Sequence, residues 1–235
     1  MYNLILIIIL IIIIIILICS KYSIDYYSSN KIYPNLYYIN LKHRTDRKKQ
    51  LLEQLNKINY PTNKITRIDA VLNDKDGHIG CGLSHIKTLE YIKENSTNMN
   101  YSIILEDDFV WIDYKIVNQF LNKIYNLKYE WNVILLSCNG NILNTIENNT
   151  DFSRIGKCQT ASGYIIKHSY IDTLLKVWKH GITKRINNND TSGETAIDQS
   201  WIKLQDESWL VTNPKLGIQG KSYSDIQKGI VDYKI

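Results

Sequence analysis

The chain has 235 residues, 44% hydrophobic and 22% charged, and carries a formal net charge of +5. That length and balance suit one globular domain with a substantial core and exclude a disordered chain. Lys and Arg are scattered among Asp and Glu with no basic stripe, which argues against nucleic acid as a partner.

Residues 4–19 are an unbroken apolar run, almost all Leu and Ile. These 16 residues would rise about 24 Å as a helix, a little short of the ~30 Å hydrocarbon core. No Ala-x-Ala-like cleavage site follows. The run therefore predicts a retained single-pass signal anchor over residues 1–20, placing the protein at a membrane through residues 4–19. Lys21 behind the run disfavours a lumenal body, whereas sequons at Asn95, Asn148 and Asn189 favour one, so orientation stays open. Residues 21–35 read as a short polar stem, and residues 36–235 as the domain proper.

The domain opens on a strand over 36–41, followed by a charged turn and a helix whose apolar face is Leu51, Leu52, Leu55 and Ile58. Thr45 is the expected N-cap. A strand running into a helix N-terminus beside Arg44 and Arg47 can form an anion site. A second strand is expected over 66–71, with a turn over 74–77. Gly80-Cys81-Gly82-Leu83-Ser84-His85 then opens a helix. Its glycine spacing does not match a dinucleotide fingerprint. His85 alone would read as a hydrogen-bonded structural histidine.

The pattern centres on Ser102-Ile103-Ile104-Leu105-Glu106-Asp107-Asp108-Phe109. A short apolar run reads as a buried strand, and it stops at three carboxylates. Alternation puts Glu106 and Asp108 on one face and Asp107 on the other. Carboxylates at i and i+2 on a strand's carboxyl end suit a hard cation such as Mn²⁺ or Mg²⁺. The bland alternative is an acidic cap before a solvated turn.

Beyond it, Ile116, Val117, Phe120, Leu121, Ile124 and Leu127 form a helical core stripe. A strand follows over 131–137, then an Asn-rich loop over 139–151. A strand over 160–166 leads into a helix capped by Ser169 and ended by Gly181. A second flexible loop is expected over 182–194. The helix over 195–205 carries Asp198 early, and a strand over 209–212 precedes Pro214. Strands alternating with helices predict an α/β fold with a mostly parallel twisted sheet flanked by helices. Of the four cysteines, Cys138 and Cys158 flank one loop and could pair. No CxxC spacing points to zinc.

Four ordered motifs carry a resemblance: Ile39-Asn40-Leu41-x-x-Arg44-x-Asp46-Arg47, Arg67-x-x-Ala70, Gly80-Cys81-x-x-Ser84-His85 and Leu105-Glu106-Asp107-Asp108. Ala196-Ile197-Asp198, Pro214, Gln219 and Ser224-Asp225 follow in order. The chain resembles glycosyltransferase family 25, which includes lipooligosaccharide and procollagen galactosyltransferases. His43 departs from the pattern, standing where a second Arg or Lys is usual. The resemblance implies a GT-A-like fold and inverting hexosyl transfer from a nucleotide sugar, UDP-galactose above all. It implies Mn²⁺ (or Mg²⁺) and a glycan, glycoprotein or lipid-linked acceptor, collagen-like hydroxylysine included.

On that reading Glu106, Asp107 and Asp108 hold the metal, with Asp108 leading. Arg44, Asp46 and Arg47 bind nucleotide or diphosphate, and Gly80, Ser84 and His85 line the donor pocket. Inversion needs a general base for the acceptor hydroxyl. Asp198 is the first candidate and Asp225 the second, the latter alternatively on the metal or pyrophosphate side. Two other classes are weighed against this: a metal phosphohydrolase or nuclease built on the acidic cluster, and a decayed transferase serving as a binding module.

Overall fold

The computed structural model describes residues 11–16, 32–95, 99–224 and 229–232. They fall into two units, Met1–Ile32 and Tyr33–Ile235. In the first, residues 11–16 are helical and the rest of the apolar run lies outside the described residues. Among the described residues no helix is long and apolar enough to cross a membrane. The single-pass anchor expected from residues 4–19, and the membrane placement built on it, are corrected by that finding.

The second unit opens on β1 (Asn35–Asn40) and α1 (Thr45–Lys57), then β2 (Ile65–Asp69) and α2 (Gly77–Asn95). Next come β3 (Tyr101–Glu106), β4 (Phe109–Trp111), α3 (Tyr114–Tyr125) and β5 (Val133–Leu135). The β6 (Asn139–Ile146) and β7 (Asn149–Gln159) hairpin leads to β8 (Gly163–Lys167) and α4 (Ile171–Asn188). A short α5 (Ile197–Ser200) precedes β9 (Trp209–Thr212), β10 (Gly217–Gln219), β11 (Ser222–Ser224) and β12 (Gly229–Val231).

Eight strands form one sheet in the order β2-β1-β3-β8-β5-β9-β7-β6. Six of them run in one direction, while β8 and β7 are antiparallel to their neighbours. The sheet is thus mostly parallel in strand direction, as the alternation of elements predicts, with two reversed strands. Its central strands are apolar on both faces because helices cover both. Leu36, Tyr38, Ile103 and Leu105 face one core with Leu51 and Leu55 of α1 and Val117, Phe120 and Leu121 of α3. Tyr37, Ile39 and Ile104 face the other with Ile86 and Leu89 of α2 and Leu174 and Trp178 of α4. Successive side chains alternate between the layers, so every central strand helps fix both.

Several local expectations change. Residues 139–151 form most of a hairpin instead of a loop, and β6 is an edge strand exposed on nearly its whole length. Exposure on both faces removes the alternation that would have marked it as a strand. The segment expected as loop over 182–194 is largely helix, because α4 runs through buried Gly181 to Asn188. Asn189 takes the left-handed conformation at its end (φ 49°), the role expected of a glycine. Thr45 is the first helical residue of α1, and α4 starts at Ile171 without a side-chain cap. Cys138 and Cys158 form a disulfide with Cα atoms 5.4 Å apart.

One packing feature bears directly on the acidic strand end. Phe109, next after Asp108, is fully buried, and a methyl group at Gly163 or at Gly217 would overlap its ring. The backbone of β4 is held further by Gln54 of α1, which donates to the Phe109 carbonyl (3.1 Å) and accepts from the Trp111 N–H (3.0 Å). Gly217→Ala is expected to destabilise the domain by about 1–3 kcal/mol through overpacking, read as a fall in Tm. An unchanged Tm would show that the ring can move aside.

Candidate functional site

β3 delivers its three carboxylates into three different environments. Glu106 turns toward α2, where His85 Nε2 lies 2.9 Å and Cys81 Sγ 3.8 Å from its Oε1. Asp107 turns toward α1 and β1: it accepts from Asn40 Nδ2 (2.7 Å) and from Arg47 (3.0 Å). Asp108 accepts from Gln219 Nε2 (3.2 Å) and pairs with Arg47 (3.3 Å), all through Oδ2. Its Oδ1 is buried and has no hydrogen-bond partner. A buried, unsatisfied carboxylate oxygen costs free energy until something fills its lone pairs.

The electrostatics follow from these partners. Burial pushes Asp108 up to about 7, with the Glu106 charge adding to the rise and Arg47 opposing it. Burial also raises Glu106, but hydrogen bonding and charge from His85, with help from Arg47 and the Cys81 thiol, outweigh it and hold the group below its usual value. Asp107 is raised, chiefly by burial, against the pull of Arg47 and Asn40. Two neighbouring carboxylates are thus driven in opposite directions, the signature of a site that handles charge.

Both oxygens of Asp107 are already engaged, so its main role in this geometry is to hold β3 against β1 and α1. Asp107→Ala is expected to cost about 3–5 kcal/mol, since it breaks a buried ion pair and strips Asn40 of a partner. A thermal melt checks this, and a loss under about 1 kcal/mol would mean water fills the gap.

Asn40 is the hub beneath the cluster. Besides Asp107, its amide donates to the Arg44 carbonyl (3.0 Å), and its Oδ1 accepts from Arg67 Nε (3.0 Å). Arg67 also reaches the Asn40 carbonyl (3.1 Å) and pairs with Asp69. The predicted anion site at the start of α1 is arranged differently from expectation. Arg47 is buried against Asp107 and Asp108. Arg44 forks onto the exposed Asp46 carboxylate through Nε (3.1 Å) and an NH₂ group (3.0 Å). That hydrogen bonding holds Asp46 down at about 2.

The Gly80–His85 segment lies inside α2 and does not open it, since the helix starts at Gly77. Gly80 packs against the Val71 carbonyl, where a Cβ would stand 2.6 Å away. The Ser84 hydroxyl donates to the Gly80 carbonyl (2.6 Å) and accepts from the Val71 N–H (2.8 Å). These contacts tie Gly80 and buried Ser84 of α2 to the backbone of the β2–α2 connection. The rotation of about 100° between consecutive helical residues explains the contrast with His85, which points to the sheet. It is fully buried, with Nδ1 3.1 Å from the Tyr164 hydroxyl of β8 and Nε2 on Glu106.

Asp198 sits at the start of α5 and accepts from the Thr160 N–H (3.3 Å). Burial raises it above the usual carboxylate range, the Thr160 bond opposes this, and the charge of Glu106 adds to the rise. Asp225 lies outside the described residues.

No family model matches the chain, and neither does any curated protein. Among solved structures it is similar to a glycosyltransferase involved in glycosylation of the major capsid of PBCV-1. That match has 8% identity and a TM-score of 0.47, over 77% of this chain and 81% of the other. The glycosyltransferase GlyE of Streptococcus pneumoniae TIGR4 matches at 9% identity and TM-score 0.44, over 77% of this chain but 45% of that longer one. Mannose-1-phosphate geranyltransferase from Thermus thermophilus matches at 10% identity and TM-score 0.42, covering 78% and 74%. Likeness at this level is too loose to weigh on activity, which has to be argued from the site itself.

The structure brings together Arg47, His85, Glu106, Asp107 and Asp108, with Asp198 held separately by the Thr160 N–H. It sets Arg44 with Asp46 at the surface side, and Gly80 with Ser84 within α2 against the Val71 backbone. Sequence reasoning assigned no role to Asn40, Cys81, Tyr164 or Gln219. Asn40, Cys81 and Gln219 lay within the quoted motifs. Tyr164 carried no signal, being one aromatic in an apolar strand.

Proposed function

We propose that the chain is a metal-dependent, inverting glycosyltransferase that moves a hexose from a nucleotide sugar to a hydroxyl of a glycan or glycoprotein. Galactose from UDP-galactose is the favoured donor. The carrying observation is Asp108: buried at the carboxyl end of a central strand beside Glu106, with one oxygen left unpartnered. Ligands gather at that edge of α/β sheets. Two hard carboxylates there fit Mn²⁺ or Mg²⁺, which Asp108 and Glu106 would hold. Such an ion, when bound, supplies Lewis-acid stabilisation of charge on the leaving diphosphate.

The chain's own residues do the rest. Arg47 fixes Asp107 and Asp108 from α1, and His85 fixes Glu106 from α2, so the acidic edge is rigid before donor arrives. Asp198 receives the acceptor hydroxyl's proton, its buried carboxylate being more basic than a solvated one. Asp225, the second candidate for that role, is kept as its alternative. The ordered motifs shared with glycosyltransferase family 25 support the same assignment.

The test is release of UDP from UDP-galactose by chelator-treated protein, with and without Mn²⁺, with acceptors varied. Turnover that appears only with the ion is the expected result. Hydrolysis of simple phosphate esters without sugar transfer would point to a phosphohydrolase. Binding without turnover for every UDP-sugar would sink the enzymatic reading in favour of a binding module.

A further inference from the structure

We infer that Cys81, His85 and Glu106 form a second, thiophilic cation site of zinc-class preference, distinct in chemistry from the carboxylate site at Asp108, with which it shares Glu106 as a bridging carboxylate. The i,i+4 spacing on α2 puts Cys81 and His85 on one face of the helix. β3 brings Glu106 to the same point from the sheet. The Cys81 sulfur, a ring nitrogen of His85 and a carboxylate oxygen of Glu106 all lie within 4.8 Å of one another. Atoms bound at about 2.0–2.3 Å to one tetrahedral ion lie roughly 3.3–3.6 Å apart. The observed Nε2–Oε1 separation of 2.9 Å and Sγ–Oε1 separation of 3.8 Å bracket that range. The sulfur and the ring nitrogen lie within 4.8 Å of each other, so side-chain shifts of up to about 1 Å would admit the ion.

The surroundings favour coordination. The far ring nitrogen of a metal-bound histidine is normally fixed by a hydrogen bond, and Tyr164 Oη lies 3.1 Å from His85 Nδ1. A hydroxyl serves either tautomer. It donates to Nδ1 while Nε2–H bonds Glu106, and it accepts from Nδ1–H when Nε2 is a ligand. The buried pair is satisfied in both states, so filling the site strands no polar atom. Burial pushes the Cys81 thiol up, with the charges of Glu106, Asp198 and Asp108 adding to the rise, so the ion has to displace that proton, and water is left to complete a fourth position. Thiolate and imidazole select zinc-class ions over Mg²⁺ or Mn²⁺, which prefer oxygen. On binding, the thiol proton leaves to solvent and the single His85 ring proton shifts from Nε2 to Nδ1, so one proton is released per ion and lone pairs on sulfur, Nε2 and the carboxylate oxygen face the metal.

The site does not depend on sugar transfer, and its test is spectroscopic. Co²⁺ titrated into the full chain with its disulfide intact is expected to give a thiolate-to-cobalt charge-transfer band saturating at one equivalent and bleached by Zn²⁺. Cys138 and Cys158 are bonded to each other, which leaves Cys19 as the other thiol to control for. Cys19→Ser should keep the band and Cys81→Ser should lose it. Mn²⁺ binding, followed by electron paramagnetic resonance, should persist in Cys81→Ser. Tyr164→Phe should keep the band and weaken Co²⁺ affinity about 10- to 100-fold. No band in the wild type, a band surviving Cys81→Ser, or loss of Mn²⁺ binding together with the band would each overturn the inference.

Discussion

Asp198→Asn is expected to slow sugar transfer by about 10²- to 10⁴-fold, the range supplied by one positioned general base. Donor affinity should stay at the wild-type value, because Asp198 is assigned to the acceptor proton and not to the nucleotide. The substitution is also gentle on the fold. An asparagine oxygen can accept the same Thr160 N–H bond that Asp198 accepts at 3.3 Å, and a neutral amide relieves the burial that raises this carboxylate. A lost rate therefore reports chemistry and not unfolding, which a melt run alongside would verify.

The pH profile adds a second readout. A base works when deprotonated, and Asp198 holds its proton to higher pH than a solvated aspartate. The rate should climb with pH along a limb lying above the usual carboxylate range of about 4. Asp198→Asn should flatten that limb. Wild-type transfer rates in the variant would remove Asp198 from the role and leave Asp225 to be tested by the same substitution.

What could be read from the sequence divides along a physical line. The central strands, the α1 and α3 stripes and the acidic strand end are local patterns: alternation, 3.6-residue periodicity and an abrupt change of polarity. All of these survive folding unchanged. β6 was not legible because an edge strand exposed on both faces needs no hydrophobic pattern. The C-terminal half of α4 was missed because Gly181, which reads as a stop, is buried in mid-helix. At the site, residue types were legible and partners were not. Arg47 looked like an anion ligand, but it lies buried against Asp107 and Asp108, a pairing across 60 positions that only the β1–β3 register creates. His85 looked structural in isolation, and its two ring nitrogens join Glu106 of β3 to Tyr164 of β8, partners the sequence does not reveal.

Asp108→Asn should have the largest effect of all, abolishing metal-supported turnover while making the metal-free protein more stable at neutral pH. The first half follows from ligand chemistry. A carboxylate contributes charge and two oxygens to a hard cation, an amide contributes one neutral oxygen, and Asp108 is the member of the cluster with an oxygen to spare. The second half follows from the raised carboxyl. Its value in the folded protein is about 7, against an ordinary value of 3.8. The folded state therefore binds more protons than the unfolded state between these two values. Stability contributed at this position falls as pH rises through that window, and the deficit persists above it.

An asparagine has no charge to bury and escapes the deficit. In the presence of chelator, Tm of Asp108→Asn should exceed that of wild type at about pH 8, above the raised carboxyl. The two should converge near about pH 4, where both side chains are neutral in the folded protein. Adding Mn²⁺ should raise Tm of wild type by mass action and leave the variant where it was. A variant that melts below wild type on the alkaline side would mean the Arg47 ion pair outweighs the burial. Retained Mn²⁺ stabilisation in the variant would move the cation to other carboxylates. Together these melts separate a residue kept for its charge from one kept for its packing, because only the former destabilises the empty protein and stabilises the loaded one.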